Sequence, residues 1–321
     1  MKLGVVTAVF LDRSLDEALG RFQQLGLDAV EIPVGGFFPK GHCDAEALLA
    51  GPAALARFKD AVARRGLAVS ALAVHGNPLH PKPEAARAHD RDYRQACQLA
   101  EKLGVNRVTL LAGLPAASPA GDVPHWLTWF FPPDLGDAYR WQWEERVIPY
   151  WRESARFAQG HGVRLCFEMV PGDSVFNPAT LLRLREVVGP VVGCNFDPSH
   201  LFYQGIDPIE AVHALGEAIY HVHAKDARLD ARKVRVQGVL DPKPFTDEKG
   251  KSWVYRTVGY GHDRQYWADF VSALRQVGYD DVVSIEHEDS LMSAEEGLAK
   301  AVHLLQDVLI RERAGAWWAV K

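Results

Sequence analysis

Six residues with acid, base or metal-ligand chemistry close short apolar runs along this chain: Glu31, His75, Glu168, Asp197, His223 and Glu286. Carboxylates and imidazoles are ligands of divalent cations and the commonest general acids and bases. Glu168, Asp197, His223 and Glu286 close four consecutive runs, so strands carrying them side by side would bring the four side chains to one point. Three carboxylates with one imidazole suit a single divalent ion, Mn²⁺ first, with Mg²⁺, Co²⁺ or Zn²⁺ as alternatives. A lone acid at a strand end often does no more than solvate it. Four in succession, all in the same register, call for a cation.

The register follows from strand alternation. The residues just before five of the six are apolar (Val30, Phe167, Phe196, Val222, Ile285), and one position further back stand Ala29, Cys166, Asn195, His221 and Ser284. The first set should face covering helices and the second should face inward with the acids and histidines. His221 lies one layer deeper and reads as a core histidine. His287 falls on the outward parity. Glu288 faces inward beyond the strand, where it could support the site from outside.

Strands that place these groups are expected at 3–8, 29–33, 68–75, 107–112, 164–169, 191–197, 219–224 and 282–286, with a helical pattern between each pair. Glycine follows the helices at Gly26, Gly66, Gly104, Gly162 and Gly278, where a left-handed cap would turn the chain into the next strand. Helix starts are marked by Ser14 with Glu17, Ser293 with Glu296, Asn177-Pro178 and Asp207-Pro208. Eight alternating units predict one (β/α)8 barrel, a single domain over 1–321, whose active site lies at the carboxyl ends of the strands. Two connections are long: 113–140 after strand 4, rich in Trp and Phe, and 227–261 after strand 7. The first, with Trp126, Trp129, Phe130, Phe131, Trp141 and Trp143, should form a lid or subunit interface, or stack on a substrate ring.

Composition narrows the class. With 48% hydrophobic residues there is enough apolar material for a barrel core, and a net charge of -5 without a dense Lys/Arg run excludes a duplex-gripping protein. No run approaches the roughly 18 apolar residues of a membrane span. Cys43, Cys97, Cys166 and Cys194 are scattered, the last two in strand-like runs, which suggests buried thiols and a cytoplasmic protein. A small neutral or anionic molecule is the expected partner, with neither nucleic acid nor membrane, and a homo-oligomer (dimer or tetramer) the expected assembly.

The segments Cys166-Phe167-Glu168, Asn195-Phe196-Asp197-Pro198-Ser199-His200-Leu201, His221-Val222-His223-Ala224-Lys225-Asp226 and Ser284-Ile285-Glu286-His287-Glu288-Asp289 resemble the xylose-isomerase-like TIM-barrel superfamily of sugar isomerases and epimerases. The likeness runs from the first strand to the last helix, and Gly259-Tyr260-Gly261 is similar to the family's Gly-x-Gly turn. It implies Glu168, Asp197, His223 and Glu286 as metal ligands, with His200 reaching a substrate oxygen. Ser174 stands where ketose 3-epimerases carry a second glutamate, and Leu229 stands where they carry an arginine, with Arg228 one position early.

The expected chemistry is carbohydrate isomerisation or epimerisation through a cis-enediolate of a hydroxy-ketone, with Glu168 and Glu286 as catalytic bases. His200, His75, Glu31, Lys225 and Arg228 are the expected substrate-binding residues. Lys225 is expected either to contact an oxyanion or to neutralise Asp226. A lyase acting on an inosose or a 3-oxo-glycoside would use the same parts. An abasic-site endonuclease shares the barrel but needs more metal ions and a basic rim. No glycine-rich phosphate loop follows strands 7 or 8, which argues against a phosphorylated sugar.

Overall fold

The computed structural model describes residues 1–313 and 315. Eight parallel strands close a barrel in the order β1, β10, β7, β6, β5, β4, β3, β2. These are β1 (Lys2–Val6), β2 (Ala29–Pro33), β3 (Ala68–Ala73), β4 (Arg107–Leu110), β5 (Arg164–Glu168), β6 (Val192–Phe196), β7 (Ile219–Ala224) and β10 (Val282–Ile285). All eight expected strands are present, most of them one or two residues shorter at the carboxyl end, where the chain leaves the sheet for the loops. Residues Thr7–Phe10 turn into a short 3₁₀ helix rather than continuing the first strand.

The apolar partners sort as alternation requires. Val30, Phe167, Phe196, Val222 and Ile285 all lie in the hydrophobic layer between strands and helices. There the ring of Trp151 meets Phe167 edge-on at 4.6 Å, and its indole N–H donates to the Ala112 carbonyl at 2.8 Å. Phe196 packs on Phe270 at 5.6 Å. Burying an aromatic side chain here contributes roughly 1.5–3 kcal/mol.

Local signals set the ends of the helices. Ser14 and Glu17 form a reciprocal capping box, and Asn177 caps the helix that Pro178 begins. Gly104, at φ 73°, closes the long helix Pro83–Leu103 and returns the chain to β4. Gly36 has a different role: a Cβ there would lie 2.0 Å from the His75 carbonyl, so the loop after β2 can pack on the end of β3 only without a side chain.

The two long connections carry structure of their own. After β4 the chain reaches a helix (Pro133–Trp141) that passes through a π turn (Gln142–Val147) into a second helix (Ile148–Gly160). Trp143 and Trp151 go into the core, so Trp143 belongs to neither lid nor interface, while Trp129, Phe130 and Phe131 are exposed. After β7 an antiparallel hairpin forms from β8 (Asp226–Leu229) and β9 (Trp253–Arg256), an element absent from the expected set. All four cysteines are buried and free. Among the described residues no helix is long and apolar enough to cross a membrane.

Candidate metal and catalytic site

Glu168 is the last residue of β5, Asp197 and Glu286 follow β6 and β10 directly, and His223 is one residue from the end of β7. Those strands are neighbours in the barrel, and each side chain offers one ligand atom within 4.8 Å of the other three. His223 Nδ1 lies 3.4 Å from Glu168 Oε2 and 3.2 Å from Glu286 Oε2. Asp197 Oδ1 accepts from the Ser199 amide at 2.8 Å, but its Oδ2 is buried with no hydrogen-bond partner. A buried carboxylate oxygen without a hydrogen bond is costly; its nearest basic groups are His200 Nε2 at 3.4 Å and Lys225 Nζ at 3.8 Å, and a cation at the centre of these four residues would give it a direct partner. The donor set fits a divalent ion.

A second layer supports the first from inside the barrel. Glu31 reaches across from β2 and accepts from Thr109 Oγ1 at 2.6 Å, His221 Nε2 at 2.8 Å and His223 Nε2 at 2.9 Å. Glu31 and both histidines are fully buried. The sequence reading put Glu31 on the substrate; here it is sealed beneath His223. The reason is depth: β2 continues two residues past Glu31, whereas the strands bearing Glu168, Asp197, His223 and Glu286 end at or beside them. Glu31, His221 and His223 also form a compact acid–imidazole group. Its carboxylate is already satisfied by three donors, so it reads as a support that directs His223 Nδ1 upward.

Glu168 is held on both oxygens. Oε1 pairs with His200 Nε2 at 2.9 Å, and Oε2 pairs with His75 Nε2 at 2.9 Å and accepts from Asn195 Nδ2 at 2.8 Å. Asn195 was recognised as inward-facing but not as a partner of Glu168; the register pairing Glu168 with Asn195 brings them together. His200 Nδ1 meets Tyr203 and Tyr255 hydroxyls at 3.2 and 3.1 Å. Tyr255 lies on β9, and nothing in the sequence signalled the hairpin that delivers it.

Lys225 is buried with its ammonium 2.5 Å from Glu288, 3.2 Å from Glu286 and 3.8 Å from Asp197. Of its two expected roles, neutralising Asp226 is replaced by pairing with these carboxylates. Asp226 instead accepts from the backbone amides of Gly259, Gly261 and His262, fixing that turn. Arg228 is carried into solvent on β8 and makes none of these contacts, in place of its expected approach to substrate. Ser174 donates to the Gly113 carbonyl at 2.6 Å and closes on the neighbouring loop.

The charges are strongly coupled. Burial opposes ionisation of Glu168, but His75, His200 and His223 hold its carboxyl well below the usual range. Burial likewise opposes Glu286, yet Lys225 and His223 bring it down to about 2. Burial raises Asp197, with His200 and Lys225 pulling against it. Burial disfavours the Lys225 ammonium, but Glu286, Glu288 and Asp197 hold its pKa well above the ordinary value. His221 is lowered by burial despite Glu31, as suits a neutral ring that donates through Nε2.

Comparison with known proteins identifies the fold and the family of relatives. The family model described as xylose isomerase-like TIM barrel matches residues 19–308. The chain is 39% identical to the uncharacterized protein YfiH of Bacillus subtilis (strain 168) over 312 residues, 96% of this chain and 99% of that protein. A segment of 101 residues, 31% of this chain, is 32% identical to 32% of an inosose dehydratase of Geobacillus kaustophilus. Among solved structures, D-psicose 3-epimerase of Clostridium cellulolyticum H10 superposes with a TM-score of 0.63 at 15% identity, over 96% of this chain and 99% of that one. The IolI protein with a bound zinc atom superposes with a TM-score of 0.62 at 19% identity, over 96% and 98%.

Proposed function

This chain belongs to the xylose isomerase-like TIM barrel family, and from that premise we propose a divalent-metal-dependent sugar isomerase or epimerase acting on a hydroxy-ketone. The observation that carries the reading is the set Glu168, Asp197, His223 and Glu286, four ligand atoms within 4.8 Å with one buried oxygen unpartnered. The chemistry a cation would supply here is Lewis acidity toward the carbonyl and neighbouring hydroxyl oxygens of the sugar. Mn²⁺ heads the candidates on donor type, ahead of Mg²⁺, Co²⁺ and Zn²⁺.

The protein's own groups then handle the proton. Among the described residues every side-chain hydrogen bond and ion pair of Glu286 falls on Oε2, which leaves Oε1 to take a proton from the carbon beside the carbonyl. Glu168 comes from a strand three places away and is backed by His75 and His200, so a proton can be delivered from that side and replaced through an imidazole. Delivery to the same carbon epimerises it, and delivery to the neighbouring carbon isomerises aldose and ketose.

A second reading, elimination of a β-substituent, is favoured by the same pair of imidazoles, which provide a general acid for a departing hydroxyl. The inosose dehydratase segment supports it too. Mn²⁺-loaded protein incubated in D₂O with ketohexoses, an inosose and a 3-oxo-glucoside, followed by NMR, tests both. Deuterium at carbon with every oxygen retained identifies the isomerase or epimerase; loss of water or aglycone identifies the lyase. Absence of both turnover and exchange with metal bound overturns the proposal, and retained turnover in Glu168→Gln removes Glu168 as a base.

A further inference from the structure

We propose that a second subsite adjoins the catalytic cluster and takes one further neutral ring, so that the preferred substrate is a keto-sugar glycoside rather than a free monosaccharide. The inference rests on the proposed function only for where the reacting ring sits. Phe245, Tyr255, Glu288 and Ser290 line a cavity of about 280 Å³, close to the lower bound of ~300 Å³ for small-molecule pockets and so sized for one ring. Phe245 and Tyr255 are stacked, with centroids 5.5 Å apart and planes 20° from parallel, and Phe245 is 58% exposed although it is a large aromatic. Trp253 meets Phe245 at 5.7 Å and backs the platform.

This cavity is one side chain away from the reaction. The Tyr255 hydroxyl touches His200 Nδ1 at 3.1 Å, and Lys225 Nζ sits 4.4 Å above the Tyr255 ring while also pairing with Glu286. Glu288 contacts Lys225 through Oε2 and stays half exposed, which leaves a carboxylate oxygen for hydroxyl groups. A pyranose has an apolar C–H face and a hydroxyl rim; an aromatic platform edged by a carboxylate and a serine complements both. The lining residues disfavour a phosphate. The adjacent cation, Lys225, is already shared among Asp197, Glu286 and Glu288, and the remaining charge at the cavity is negative.

The test compares 3-oxo-glucose with phenyl 3-oxo-β-glucoside on the Mn²⁺-loaded enzyme. The glycoside should have the higher kcat/KM by about tenfold or more, the scale of one apolar contact in a pocket. Phe245→Ala should erase that preference and Phe245→Trp should keep it. Equal kcat/KM in the parent enzyme, or a preference that survives Phe245→Ala, overturns the subsite. Calorimetric titration with glucose and phenyl β-glucoside separates this failure from failure of the reaction itself. If nothing is turned over yet the glycoside binds more tightly and Phe245→Ala abolishes the difference, the subsite stands and the proposed chemistry falls. If neither variant nor parent distinguishes the two sugars, the subsite falls.

Discussion

Replacing Glu31 by Gln separates a supporting role from a substrate-binding one. The carboxylate accepts three hydrogen bonds, from Thr109, His221 and His223, in a fully buried position. With Nε2–H held by Glu31, His223 presents Nδ1 toward Glu168 and Glu286. Glutamine keeps the shape but loses the charge, and its NH₂ group must face one of three donors. Outer partners of metal-binding histidines typically affect affinity by about 10–100-fold, or roughly 1.4–2.8 kcal/mol. One buried donor left unmatched costs a further ~1–3 kcal/mol of fold stability. Titration calorimetry with Mn²⁺ should therefore show Glu31→Gln binding at least about tenfold more weakly than the parent. Thr109→Val keeps the charge and should weaken it less. If Glu31 instead touched the sugar, KM at saturating Mn²⁺ would rise while metal affinity stayed put. A folded Glu31→Gln protein that binds Mn²⁺ as the parent does refutes the supporting role.

Three more outcomes are expected. Lys225→Met leaves Glu286, Glu288 and Asp197 without their cation and should lower metal-free stability by about 3–5 kcal/mol in urea melts; an unshifted midpoint contradicts the pairing. Asp197→Asn removes a buried carboxylate whose Oδ2 makes no hydrogen bond and lies 3.8 Å from Lys225, a cation that keeps Glu286 and Glu288, so the metal-free variant should stay close to the parent in stability. The parent at 100 times its Kd for Mn²⁺ should gain about 2.7 kcal/mol, a rise in Tm that Asp197→Asn should lose. Asp173, buried and bonded to the Gly113 and Val175 amides, has its carboxyl pushed up to about 7 by burial. Between its ordinary 3.8 and about 7 the folded state keeps a proton that the unfolded chain has released. Stability therefore falls as pH rises through that window, by at most about 4 kcal/mol, and Asp173→Asn should flatten the slope of urea midpoint against pH.

The barrel could be read from the sequence because its signals are local and repeat. Five helices are followed by a positive-φ glycine such as Gly104, each strand is a short apolar run, and alternation alone assigns Phe167 outward and Glu168 inward. The convergence of Glu168, Asp197, His223 and Glu286 was legible for the same reason. What alternation does not carry is depth. Glu31 and His223 share a parity, but β2 runs on to Pro33 and β7 stops at Ala224, so one carboxylate lies under the imidazole that the other elements hold up. A residue's distance from the barrel mouth depends on where the sheet lets go of the chain, and the run Ala29-Val30-Glu31-Ile32-Pro33 gives no mark of it. The hairpin of β8 and β9 was hidden for another reason. Its strands are four residues each and separated by a helix and a long turn, so neither a hairpin spacing nor a long alternating run announced it. Tyr255 was missed with it, and Arg228, displaced onto its outer side, was misplaced by the same omission.

The two carboxylates proposed as catalytic, Glu168 and Glu286, differ in a way that bears on what the site can do. Glu168 is tied on both oxygens by His75, His200 and Asn195, whereas Glu286 is tied on one oxygen by Lys225 and His223. Both are held ionised, Glu168 by imidazoles and Glu286 by an ammonium and an imidazole. Glu286 is thus suited to removing a proton through its free Oε1, and the imidazoles of His75 and His200 behind Glu168 to supplying one. The asymmetry gives the two faces of the sugar different partners, a carboxylate beside Lys225 on one side and imidazoles on the other. It follows that the substituent facing His75 and His200 decides the product: a bare carbon is protonated, and a hydroxyl there is the group positioned to leave.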